Sequence, residues 1–151
     1  MITLRTATRA DLPVIADILA NVQGQADPAL DVEAQRTALA ADLENWFGRD
    51  EPESLLSIIE LDGVPVGRLR VVRWPDRIFL GGIQVHPDHQ ERGIGTELIT
   101  ALIEEARASG RELQLTVDKI NIGARRLYQR LGFRTESETV DELHLVIPVG
   151  A

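Results

Sequence analysis

Residues 83–96 read Ile-Gln-Val-His-Pro-Asp-His-Gln-Glu-Arg-Gly-Ile-Gly-Thr, a short apolar strand running into a turn with two glycines one residue apart. The amphipathic stretch 97–108 follows at once. This order builds an anion site from backbone alone. The first turn of a helix has N–H groups without intrahelical partners, and the helix dipole adds partial positive charge there. Gly93 and Gly95 lack a Cβ, so a phosphate can come close to the main chain, and positive φ angles cost little. A pyrophosphate-bearing ligand suits such a loop. The structural alternative is a surface turn whose glycines only let the chain bend. Neither G-x-G-x-x-G nor G-x-x-x-x-G-K-[ST] is present, so the two common nucleotide fingerprints are absent.

Farther along, Leu113-Gln-Leu-Thr-Val117 alternates as a half-buried strand does. Asp118-Lys-Ile-Asn121 comes next, then a helical stretch 123–131, then Gly132-Phe133. Structural roles exist for each notable residue here. Asn121 suits a helix N-cap, Gly132 suits the position after a helix, and Tyr128 shares a face with Ala124 and Leu131.

Taken in order, Val85-x-Pro87, Gln90-x-x-Gly93-x-Gly95 and a helix resemble the acyl-CoA pyrophosphate loop of the GNAT superfamily of N-acyltransferases. Asn121, Ala124, Leu127, Tyr128, Gly132 and Phe133 are similar to that superfamily's second signature. The resemblance is specific over Arg77 to Phe133 and only architectural before that.

At 151 residues, with 44% hydrophobic and 26% charged, the composition fits one domain with a sizeable core. The absence of cysteine excludes disulfides and thiolate catalysis. His86, His89 and His144 make no zinc-ligand spacing, so no metal is expected. No apolar run is long enough to span a bilayer, and no charged-then-apolar leader follows Met1. A cytoplasmic chain without a membrane partner is therefore expected. Nothing in the sequence sets the oligomeric state, and a homodimer stays open.

Periodicity predicts strand β1 at Ile2–Thr6 and helix α1 at Leu12–Ala20, with Asp11 as N-cap and Pro13 in the first turn. A loop over residues 24–30 leads to α2, about Val32–Phe47, with Leu39, Leu43, Trp46 and Phe47 on one face and Gly48 as its stop. Strands β2 (Ser54–Leu61) and β3 (Val64–Arg73) are joined by Asp62-Gly63, a two-residue hairpin signal. Strand β4 spans Arg77–Val85. Helix α3 packs through Leu98, Ile99, Leu102 and Ile103 and ends at Gly110. Strand β5 (Leu113–Val117), helix α4 (Gly123–Leu131) and a hairpin of β6 (Phe133–Glu136) and β7 (Leu143–Val149) complete the chain. An α/β (α+β) class is expected, with a mixed central sheet of six to seven strands and helices on both faces. The resemblance implies the GNAT fold, with β4 and β5 splayed apart.

Charge is unevenly placed. Between Asp27 and Asp62 stand ten acids, namely Asp27, Asp31, Glu33, Asp42, Glu44, Asp50, Glu51, Glu53, Glu60 and Asp62, opposed only by Arg36 and Arg49. Two minus ten is −8, the net charge of the whole chain. In GNAT proteins this region borders the acceptor side. An acidic rim there would concentrate a cationic amine and disfavour nucleic acid, which needs a basic footprint. The structural alternative is a solvated helix face and a polar loop.

The resemblance implies acetyl-CoA as acyl donor and a primary amine, a small cationic amine or a peptide amine, as acceptor, attacking the thioester directly in a ternary complex. Pantetheine would pair with Ile83 and Val85, and the amides of Gln90, Glu91, Arg92, Gly93, Ile94, Gly95 and Thr96 would hold the pyrophosphate. A backbone N–H near Ile83 would stabilise the oxyanion. Tyr128 would protonate the departing thiolate, and Asn121 would orient CoA or the local backbone. Gly81-Gly82 would suit a bulge that forces the splay.

Two departures stand out. Family members with a base on β4 carry His or Glu where this chain has Phe79, Leu80, Gly81 and Gly82. Glu60, a water chain, or an amine arriving neutral is left to serve, while His86 is expected to cap the strand end. Glu91 puts a negative charge where the family often has glycine. A non-catalytic acyl-CoA-binding module, and a fold-only relative with another ligand, are the competing functions. Tyr128 speaks against the first, since a pure binder needs no phenol at the leaving group.

Overall fold

In the computed structural model, which describes residues 1–49 and 53–150, the chain forms seven strands and four helices. Asp50 and Glu51 of the acidic run lie outside the described residues. The strand order is β1-β2-β3-β4-β5-β7-β6. Antiparallel ladders join β1 to β2, β5 to β7 and β6 to β7, and a parallel ladder joins β4 to β5, so the sheet is mixed. Strands β1, β2, β3 and β4 begin and end where the pattern places them. Their contacts cluster into two units, Met1–Arg70 with Gly82–Gly95, and Val71–Gly81 with Thr96–Ala151.

In the first unit, Ile2 of β1 faces Leu61 of β2 and Thr6 faces Ser57. Asp62 and Gly63 both take positive φ, 51° and 82°, as the two-residue hairpin turn requires. Helix α1 runs Leu12–Ala26, six residues past its expected end. Gly24 reads as a breaker in the sequence, but it sits where α2 comes close. A Cβ there would stand 2.7 Å from Val32 Cγ2, so glycine serves helix packing and the helix continues. Helix α2, Val32–Trp46, is capped by Asp31, whose side chain accepts from the Ala34 amide at 3.1 Å. Leu43, Trp46 and Phe47 pack on a cluster of Ala7, Leu12, Ile15, Leu56 and Ile58, as an amphipathic face should.

In the second unit, β4 pairs with β5 (Glu112–Asp118) only from Arg77↔Glu112 to Leu80↔Leu115. Helix α3, Ile94–Ser109, buries Ile99, Leu102, Ile103 and Ala106. It starts earlier than the amphipathic pattern suggests, so Gly95 belongs to its first turn. Gly110, at φ 68°, follows its end. Arg73 of β3 makes two hydrogen bonds, of 2.6 and 2.9 Å, with Glu105 of α3. Helix α4 is Ile122–Arg130, β6 is Arg134–Glu138 and β7 is Glu142–Ile147. Strand β6, exposed throughout, lies one to two residues beyond its expected position because Gly132 (φ 104°) and the Phe133 amide, bonded back to Tyr128 O, close the helix first.

Candidate active site

The glycine loop sits in the first unit. Strand β4 ends at Val85, and the His86 amide donates to Val66 O of β3 at 2.8 Å. The His86 ring caps the next turn, its Nδ1 accepting the Asp88 amide at 3.1 Å. A ring nitrogen that accepts a backbone N–H is unavailable as a base. Gln90 then ties the loop down: its Nε2 donates to Val85 O at 2.9 Å, and its Oε1 accepts from Gln25 of α1 at 2.9 Å. Beyond it Glu91 is exposed and left-handed, at φ 63°, a conformation that glycine reaches without a Cβ clash. Gly93 takes φ 76°, and a Cβ at Gly93 or Gly95 would meet nothing within 4 Å. Ile94 is buried and roots the start of α3, while Arg92 is exposed. The open main chain thus opens directly into the first turn of a helix with free amides.

Ile83 and Val85, half-buried on β4, share this unit. Gly82 precedes them, and a Cβ on it would fall 2.5 Å from Arg68 Nη2 and 2.9 Å from Arg68 Cζ. That close approach gives Gly82 a reason besides the expected bulge. Arg68 was not apparent from the sequence. Its signal is parity, since Arg68 and Arg70 stand two apart on one face of β3.

Thr96, Asn121 and Tyr128 belong to the second unit. Asn121 caps α4, its Oδ1 accepting the Ala124 amide at 3.1 Å, so the side-chain oxygen is engaged and the amide NH₂ remains. Tyr128 is half-buried and stands edge-on to Phe133, ring centroids 5.6 Å apart. Its hydroxyl has no protein partner among the described residues, and burial pushes its pKa above the usual 10. The phenol therefore keeps its proton at neutral pH.

Glu60 accepts from Arg5 Nε at 3.3 Å, and Arg5 also clasps Asp11 through Nη1 and Nη2 at 2.8 and 3.0 Å. Glu60 is thus committed to the Arg5 guanidinium. Much of the acidic run is likewise engaged: Asp31 caps α2, Glu33 holds Arg36, Glu44 holds Arg9 and Asp62 holds the N-terminal ammonium. No group of three or more His, Cys, Asp or Glu is placed to hold a metal ion among the described residues, and no helix among them is long and apolar enough to cross a membrane.

The sheet is mixed, with a parallel β4/β5 pair, and the glycine loop runs into α3. Residues 19–133 match the Acetyltransferase (GNAT) family, and the chain belongs to it. It is 28% identical over 148 residues to the L-methionine sulfoximine/L-methionine sulfone acetyltransferase of Salmonella typhimurium, covering 90% of this chain and 82% of that one. It is 29% identical over 143 residues to the L-amino acid N-acyltransferase MnaT of Escherichia coli, covering 87% and 78%. The fold matches the crystal structure of PaiA N-acetyltransferase from Thermoplasma acidophilum in complex with coenzyme A, with a TM-score of 0.77, 16% identity and 98% and 99% coverage. The chain is an acetyl-CoA-dependent N-acetyltransferase, and its acceptor is an amine.

Proposed function

We propose that the chain moves the acetyl group of acetyl-CoA onto the primary amine of a small L-amino acid, by direct attack in a ternary complex. The observation that carries the donor side is the glycine loop, whose Gly93 lies at φ 76° with open space over Gly93 and Gly95 at the start of α3. The amides of Gln90 through Thr96 bind the pyrophosphate there, and Ile83 and Val85 pair with pantetheine. The Ile83 N–H stabilises the oxyanion as the tetrahedral centre forms. Collapse breaks the C–S bond, and Tyr128, kept protonated by burial, gives its proton to the CoA thiolate. Asn121 orients the donor through its free side-chain NH₂.

No ionisable residue stands on β4 at residues 79–82, and Glu60 is held by Arg5. The amine therefore reacts in its neutral form and loses its surplus proton to water. The amino-acid acceptor rests on the two relatives whose names carry amino acids or their analogues. The net charge of −8 favours approach of the ammonium form from solution. Acetyl-CoA is made inside cells, which favours a cytoplasmic location.

The test is CoA release from acetyl-CoA, followed with a thiol reagent, across L-amino acids, polyamines, aminoglycosides and short peptides. Stimulation by free amino acids supports the proposal. Stimulation by polyamines alone replaces the acceptor with a cationic amine. Tight acetyl-CoA binding with silence across the panel indicates a binding module.

A further inference from the structure

Arg68 is a half-buried cation with no counter-charge among the described residues. It lies on β3, and its Nε donates to Gln84 Oε1 of β4, a neutral acceptor. Its two Nη atoms have no acceptor among the described residues, and neither is sealed from solvent. No described carboxylate comes within ion-pair distance of it, although the same unit carries the acidic run. The charge that acts on it is of the same sign: Arg70, two residues on, shares its face of the strand, lies over the Trp46 ring at 6.0 Å and donates to Ser54 Oγ at 3.1 Å. Burial, and then the charge of Arg70, push the Arg68 guanidinium down to about 10 from its usual 12.5. A cation placed where its charge is disfavoured, with donors still open, is stabilised by an anion brought from outside.

Gly82 marks the part of β4 that the guanidinium lies against. A Cβ at residue 82 would stand 2.5 Å from Nη2, so a side chain there would make the guanidinium move from this place. The next residue along β4 is Ile83, whose N–H is the proposed oxyanion donor. The fork of Arg68 therefore opens one residue from the carbonyl under attack, within the same unit. A planar guanidinium with two free Nη groups matches a carboxylate in bidentate fashion.

We infer that Arg68 is the specificity-determining residue of the acceptor site and binds the α-carboxylate of an amino-acid acceptor, so that its α-amine faces the thioester. This rests on the transferase function proposed above and deepens it. Gln84 acts as a positioning residue, holding Nε so that the Nη pair faces outward.

The experiment compares each L-amino acid with its own carboxamide, which keeps the amine and lacks the negative charge. The wild-type protein should favour the acid form by about 10- to 100-fold in kcat/KM, the range expected for a charge-assisted hydrogen bond to a buried group. Arg68→Gln should erase that preference by lowering kcat/KM for the acid forms only, with the KM for acetyl-CoA unchanged. Arg68→Lys should recover part of it. The comparison of acid with amide on wild-type protein needs no variant, so a folding defect in either cannot mask the answer. Equal use of acids and amides, or a parallel loss of both in Arg68→Gln, overturns the inference. If no amine is acetylated, calorimetric titration of the same acids into the CoA-loaded protein decides. Binding that Arg68→Gln abolishes keeps the carboxylate site while the transferase function falls. No binding of any acid overturns the inference.

Discussion

The side chain of Gln90 donates to the carbonyl of Val85 at 2.9 Å, closing the end of β4 onto the glycine loop. With its oxygen accepting from Gln25 at 2.9 Å, it fixes where the loop amides lie before any ligand arrives. Gln90→Ala removes both bonds. We expect a rise of several-fold in the KM for acetyl-CoA, with a loss of about 1 kcal/mol in stability, the usual worth of a hydrogen bond. Donor titrations and urea unfolding read the two effects separately. An unchanged KM would mean that the loop is ordered by the backbone alone.

Glu91 combines a left-handed backbone, φ 63°, with a negative charge at the place where a pyrophosphate would sit. Glu91→Gly removes the charge and the Cβ clash together. Acetyl-CoA should bind about 2- to 5-fold more tightly, the scale of one exposed charge near a helix N-terminus. The gain should shrink at high salt. Stability should change little, because the greater freedom of glycine in the unfolded chain offsets the relief. Weaker donor binding in Glu91→Gly would contradict the loop's assignment.

The fold was legible wherever one strand face met the core, because period-2 alternation survives burial on one side. Strands β1 through β4 follow their sequence pattern for that reason. Helix α1 was cut short because Gly24 carries the same letter whether it breaks a helix or admits a neighbour, and only Val32 beside it tells which. The loop and the capping role of Asn121 were legible because both are local, set within a few residues of chain. Arg68 was not, since its significance lies in Gly82 and Gln84 on the next strand. Cross-strand register has to be known before such a cluster exists.

Tyr128 gives a pH prediction in two parts. Tyr128→Phe should lower turnover about 10- to 100-fold with CoA affinity unchanged, if the phenol serves as general acid. Burial raises its pKa, so the folded state favours the neutral phenol. The stability this contributes is fully present below the unfolded value of about 10 and is lost as pH rises through the higher folded value. Wild-type protein should therefore lose stability above about pH 10 more steeply than Tyr128→Phe, which thermal unfolding across that range would detect. A shared alkaline limb would place the sensitivity elsewhere.

Asp11 is depressed to about 2 from 3.8, chiefly by its hydrogen bond from Arg5, against desolvation. Its contribution is present above pH 3.8 and is lost as pH falls toward 2. Asp11→Asn should cost about 1 kcal/mol at pH 7, a value reduced for the exposure of Arg5 to water. The difference from wild type should close in acid. Urea unfolding at pH 7 and pH 2.5 checks it, and a penalty unchanged at pH 2.5 would assign it to packing instead.

The most direct measurement follows the acetyl group itself. Initial rates with acetyl-CoA and an L-amino acid varied together, and mass spectra of protein and acceptor from the same reaction, report where it travels. Direct attack gives intersecting double-reciprocal lines, an acceptor acetylated on nitrogen and a protein of unchanged mass. Parallel lines with an acetylated protein, or an acceptor that stays unmodified while acetyl-CoA is bound, would contradict it.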